Sequence, residues 1–202
     1  MNEKITPETW SEAVILADAD YIDRVAFDLI VNFERMLERR IPQADFARWI
    51  DCVALDGGMV PANHELSTTN IQVILLHSKS KLENFVPAHF TDELDGKAFK
   101  DHLGEFCISA VPVENLTTME DLFSDSLQHI CQQPEVKRLM IIGDERYYDR
   151  IKATLTAHRS LPTTTVFTMQ PMPGGRFQQE ILGFSLMAAL GIKSAEIEKC
   201  KS

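Results

Sequence analysis

The chain has 202 residues, 45% of them apolar, which is enough to build a substantial core. Its formal charge of −10 argues against broad adhesion to nucleic acid or to an anionic membrane, and leaves room only for a local basic patch. No apolar run reaches the length of a membrane span and the N-terminal MNEKITPETW is polar, so the expectation is a soluble, cytoplasmic protein without a membrane segment.

Taken in chain order, residues 13–17 form a short apolar run in which Val14, Ile15 and Leu16 favour a buried strand. Next, Ile22, Val25, Ala26, Leu29, Phe33, Met36 and Leu37 recur at helical spacing. Asp20 is the predicted N-cap of that helix, with Asp23 three positions on, and Arg39, Arg40 and Pro42 suit its end. From Gln43 a short helix is predicted to lead into a strand over 52–55, which Gly57 and Gly58 stop. Residues 64–70 read as a polar loop, and IQVILLH (71–77) as a buried strand. A short helix is predicted near 96–103, then a strand over 106–113 whose end Pro112 pushes towards an edge or a turn.

Thr117 or Thr118 caps a helix over 119–132 that turns Leu122, Phe123, Leu127 and Ile130 inward. A strand over 138–142, a helix over 145–158 and a strand over 164–169 follow. After the QPMPGGR loop, an apolar helix is predicted over 177–190. Strands that alternate with helices imply a three-layer α/β fold with a doubly wound, mostly parallel, Rossmann-like sheet. Residues 1–202 then make one domain, with 177–202 a C-terminal helical segment packed on the core or at a homo-oligomer interface. The four cysteines, Cys52, Cys107, Cys131 and Cys200, form no CxxC and have no histidine spacing that suits zinc, so they read as free thiols.

Two strands that read as buried end on carboxylates: AVILADADYID (13–23) and LMIIGDERYYDRI (139–151). In doubly wound sheets ligands gather beyond the carboxyl ends of the strands, where strand order reverses. Asp18, Asp20 and Asp144 are expected to meet there, and their mutual repulsion calls for a cation. Oxygen-only ligands suit Mg2+ or Mn2+ and phosphate chemistry. Asp20 and Asp144 are equally well placed to be plain N-caps. Asp121 and Asp125, four apart on one helix face, add further carboxylates or only a solvated surface. His77 and Ser78 close a strand on the same side of the sheet, in position to contact a phosphate or move a proton. Tyr147 and Tyr148 are candidates to stack on a base, with Arg146 beside them facing the substrate.

The stretch ADADYIDRVAFDLIVNFERMLERRIP, together with WIDCVALDGG, resembles an uncharacterised family of bacterial proteins, a likeness that implies no activity. More remotely, VILADADYI, MEDLFSDSL, LMIIGDERYYDRI and TTTVFTM resemble, in that order, the NYN branch of the PIN-like ribonuclease domains. That resemblance implies a PIN/NYN-like fold in which Asp18 or Asp20, Asp121 or Asp125, and Asp144 hold a metal that activates water to cut RNA. The second acidic residue of that family's GD-x-DF turn aligns with Arg146, and Tyr147 replaces its Phe. A degenerate domain that binds RNA without cutting it is the corresponding variant.

A competing resemblance is to haloacid-dehalogenase-type phosphohydrolases. It makes Asp18 the nucleophile, Asp20 the acid/base, Gly143-Asp144 through Asp149 the GDxxxxD motif, Ser78 the hydroxyl and Lys137 the lysine. Ile22 departs from that pattern, as does the immediate helix. A third reading is a non-catalytic partner-binding or self-associating scaffold that uses the apolar C-terminal helix.

Overall fold

A computed structural model describes residues 9–61, 69–158 and 162–199. The first half of the chain forms β1 (Ala13–Asp18), α1 (Ala19–Leu37), β2 (Ala44–Asp45), α2 (Phe46–Asp56), β3 (Asn70–His77) and β4 (Phe85–Val86). A five-residue π-helix (Phe90–Leu94) then precedes β5 (Ala98–Lys100), β6 (Glu105–Pro112), α3 (Met119–Cys131) and β7 (Arg138–Ile142). One 3-10 turn (Glu145–Tyr147) leads into α4 (Tyr148–Ala157), followed by β8 (Thr163–Thr168), β9 (Gln178–Ile181), α5 (Leu182–Ala189) and α6 (Ser194–Lys199).

All six residues of β1 are buried, and their alternation explains why. Ala13, Ile15 and Ala17 join one apolar cluster, which α1, α2 and α5 cover; Val14 and Leu16 join the other, beneath α3 and α4. The sheet order is β5-β6-β3-β1-β7-β8-β9. Its six parallel strands, counted along the chain, stand in the doubly wound order 3-2-1-4-5-6, and β5 closes one edge antiparallel. The chain winds outward from β1 through β3 to β6, then returns to β7 on the other side. The order therefore reverses between β1 and β7, and the three-layer Rossmann-like architecture is the expected one.

At the exit of β7, a side chain at Gly143 would put its Cβ 2.8 Å from Phe123 and 3.1 Å from Ile151. Glycine lets the strand end tuck under α3 and α4 before the chain turns at Asp144.

Several local expectations give way to tertiary packing. Residues 52–55 belong to α2, not to a strand, because Trp49, Ile50, Val53 and Ala54 continue a helical stripe into the core. Asp45 caps that helix by accepting from the Arg48 amide at 3.0 Å. The helix predicted near 96–103 is replaced by the π-helix before it and by β5, where Phe99 stacks on Phe106 at 4.8 Å. The helix predicted over 177–190 begins only at Leu182, since Gln178–Ile181 pairs with Thr165–Thr168 as the edge strand β9. The segment from 177 is thus part of the sheet before it is helical. α5 buries Leu182, Leu186 and Ala189, so it is largely core, and Phe184 is left exposed. Met36, expected inward, is exposed in the last turn of α1.

The predicted 64–70 loop falls mostly outside the described residues, with Asn70 already in β3, and Cys200 lies outside them too. Cys52, Cys107 and Cys131 are free thiols. Among the described residues no helix is long and apolar enough to cross a membrane.

Candidate functional site

The carboxyl ends of β1, β3 and β7 deliver a connected set of polar side chains to the switch point. Asp18, the last residue of β1, is 2% exposed and caps α1 by accepting from the Tyr21 amide at 3.0 Å. The N-cap is therefore Asp18, not Asp20. Burial pushes the Asp18 pKa up to about 6, with the Tyr21 amide opposing the rise and the charges of Asp20 and Asp144 adding to it. The Tyr147 phenol lies against Asp18, and its own pKa is pushed up to about 12 by burial and by the charges of Asp18 and Asp144.

Asp20, one step into α1, reaches sideways to the exit of β3. It accepts from the Ser78 amide at 3.1 Å and from the Ser78 hydroxyl. Asp23, buried one turn on, accepts from the Asn84 amide at 2.8 Å and stands 3.9 Å from the Lys79 ammonium. Asp23 thus serves a neighbouring loop instead of a capping box.

Asp144 follows Gly143 and holds two arginines. Arg24 of α1 donates to Oδ2 at 2.6 Å, and Arg146 donates to Oδ1 and Oδ2 at 3.0 and 2.8 Å. The Arg146 amide adds a capping bond at 2.9 Å. Burial works against ionisation of Asp144, but the hydrogen bonds from Arg146, Arg24 and the amide outweigh it and hold its carboxyl well below the usual range. The two arginine side chains are 52% and 72% exposed, so their outer edges face solvent while Asp144 fixes their inner edges. Glu145 accepts from the Met169 amide at 3.1 Å and ties the exit of β7 to the exit of β8. Tyr21 is buried beside this group with no partner for its hydroxyl, and burial and the charges of Glu145 and Asp144 raise its pKa.

The other candidates are placed elsewhere or committed to structure. The His77 ring stacks on Phe90 at 3.9 Å, and its Nδ1 lies 2.7 Å from the Lys79 carbonyl. Tyr147 and Tyr148 are buried, Tyr147 beside Phe123 and Tyr148 beside Phe177, so neither offers a face to a base. Asp121 is held on the α3 surface by Thr118 and by Arg150 at 2.8 Å, and Asp125 is exposed on the same helix. Lys137 sits at the amino end of β7, where Arg138 registers with Ala13, and donates to the Pro134 carbonyl at 2.8 Å. That is the opposite edge of the sheet from Asp18. The Asp149 side chain is 95% exposed.

Asp18, Asp20 and Asp144 are gathered at one edge, as the strand ends required, but not as a metal cage. Each carboxylate already serves an amide, a hydroxyl or a guanidinium, and the three do not form a close ligand group. Magnesium or manganese does not fit this arrangement. Among the described residues, the group with ligand atoms within 4.8 Å of one another is Asp51, Asp101 and His102. It lies where β6 begins, at the other end of the sheet. The β1–α1 turn, Asp18-Ala19-Asp20, has no glycine, and Asp18 fills the helix N-terminus where dinucleotide-binding sheets seat a pyrophosphate.

Fold and site together define a doubly wound α/β domain whose switch point carries a buried carboxylate clamped by two arginines. Residues 7–197 match the profile of a protein family described as a family of unknown function (DUF6621), and the chain belongs to that family. No curated protein and no solved structure matches the chain.

Proposed function

We propose that this is a nuclease-like α/β domain that binds a single RNA strand through its phosphates at the β1–β7 switch point, and that it does so without cutting. The observation that carries the reading is the Arg24–Asp144–Arg146 clamp, with Asp144 bonded to Arg24 at 2.6 Å and to Arg146 at 2.8 Å. A buried carboxylate that spends both oxygens on guanidiniums is a poor metal ligand and a good organiser of cations. Each guanidinium has five donors and neither spends them all on Asp144, so the pair presents a preset fork to a phosphate oxygen. Arg146 stands where the likeness to NYN domains calls for a second acidic residue, which replaces a metal-holding charge by a phosphate-holding one. In this reading Asp144 is a positioning residue, and Asp20 and Ser78 hold the neighbouring strand exits in place.

The test is a fluorescently labelled single-stranded RNA followed by anisotropy for binding and by gel for cleavage, with and without Mn2+. Binding without cleavage is expected, and Arg24→Ala and Arg146→Ala should each weaken it by on the order of tenfold. Mn2+-dependent cleavage that Asp144→Asn abolishes would restore the metal-dependent ribonuclease. Absence of binding would dismiss the RNA reading. A metal-induced rise in Tm that disappears in His102→Ala would trace the ion to the Asp51 cluster and leave the clamp unaffected.

A further inference from the structure

We infer that the groove beside the clamp seats one nucleobase, stacked on Phe27. The inference rests on the RNA reading and assigns to this groove the base that neighbours the phosphate held by Arg24 and Arg146. Phe27 is 53% exposed, although it belongs to the helix that covers the central strand. The groove it lines has a volume of about 570 Å³ and is shared with Asp20, Asp23, Arg24, Lys79, Glu83 and Asn84. Arg24 and Phe27 are three apart on one helix and so are neighbours on its surface. One element thus presents a phosphate donor and an aromatic face side by side.

The walls are held before any ligand arrives. Asn84 donates its backbone amide to Asp23 at 2.8 Å and its side-chain amide to the Asp23 carbonyl at 3.1 Å. Each of the three carboxylates on the groove is already engaged: Asp20 accepts from Ser78, Asp23 accepts from Asn84, and Glu83 pairs with Lys81 at 3.0 Å. Lys79, 55% exposed at the rim, adds a second cation to Arg24.

The other aromatic candidates fail on burial or on place. Tyr147 and Tyr148 are buried, with their rings beside Phe123 and Phe177. Phe184, the other exposed phenylalanine among the described residues, stands on α5 and is not among the residues that line this groove. A base face needs only an exposed ring and is read without regard to sequence, so the expected ligand is a single strand with little base preference.

The test compares two strands of equal length, intact single-stranded RNA and an abasic sugar–phosphate strand, on wild type, Phe27→Ala, Phe27→Trp and Arg24→Ala. Phe27→Ala should weaken the intact strand by roughly five- to 100-fold, leaving abasic binding unchanged. Phe27→Trp should retain intact-strand affinity and show its indole emission quenched by the intact strand alone. Arg24→Ala should weaken both strands alike. Because the ring is exposed, the thermal transition of Phe27→Ala should match wild type, which separates lost stacking from lost fold. Equal binding of the intact strand by wild type and Phe27→Ala would overturn the stacking groove while the RNA reading stands. Failure of wild type to bind either strand would overturn both.

Discussion

At the scale of single residues, the site is a set of carboxylates that differ by what surrounds them. Asp18 is buried beside two other acids, and its pKa rises to about 6; Asp144 is buried beside two arginines, and its pKa falls. The two therefore act oppositely on stability. The native chain holds the Asp18 proton more tightly than the unfolded chain does, so this group's contribution is full below the ordinary carboxyl range. It is lost as pH climbs towards about 6. Asp144 stabilises the fold above the ordinary range, and that contribution is lost as pH falls through it and below. Asparagine caps a helix as well as aspartate does and carries no charge. Asp18→Asn is expected to raise unfolding stability at pH 8 by roughly 1–3 kcal/mol, with the gain gone near pH 4. Urea unfolding at both pH values checks it, and a variant less stable than wild type at pH 8 would contradict a burial cost at Asp18. The strand-end acids were legible in the sequence because a carboxylate directly after a buried apolar run is conspicuous. Their partners were not: Arg24 lies 120 positions from Asp144, and nothing local in α1 marks it as a ligand of that carboxylate.

Elements were readable where one periodicity had no competitor. β1, β3 and β7 are apolar on both faces, as central parallel strands must be, and α1 and α3 carry one clear stripe. The misread segments are short and depend on distant neighbours. CVAL is apolar enough for a strand, but Trp49 and Ile50 just before it continue the same helical face onto Phe85 and α5. QQEI resembles the start of the next helix, and only its pairing with β8 makes it a strand. α3 shows the local signal at its clearest. The Thr118 hydroxyl accepts from the Asp121 amide at 3.1 Å and donates to the Asp121 carboxylate at 2.7 Å. Thr118→Ala should cost about 1 kcal/mol and lower Tm by about 2–4 °C. Differential scanning calorimetry reads the change, and an unaltered Tm would mean that Arg150 alone holds this helix end in register.

For the whole molecule, the proposed RNA binding raises the question of how a chain of charge −10 would hold a polyanion at all. The answer that goes with the proposal is locality. In that reading the cations that matter sit on one notch of the sheet, where Arg24 and Arg146 share a single carboxylate, and the net negative charge of the chain opposes a strand tracking over the whole surface. Locality has a thermodynamic signature, because each phosphate neutralised on a single strand releases counterions and steepens the loss of affinity with salt. Two arginine contacts give a slope of log K against log salt of roughly −1.4, and Lys79 as a third brings it to roughly −2.1. Repulsion from the remaining acidic surface is itself screened as salt rises, which opposes the loss and flattens the slope most at low salt. Anisotropy titrations of single-stranded RNA between low and physiological salt should therefore give a shallow dependence, and Arg146→Ala should reduce it by roughly 0.7. A slope several times steeper would require many phosphate contacts spread along a basic track. The clamp would then not be where the strand is held.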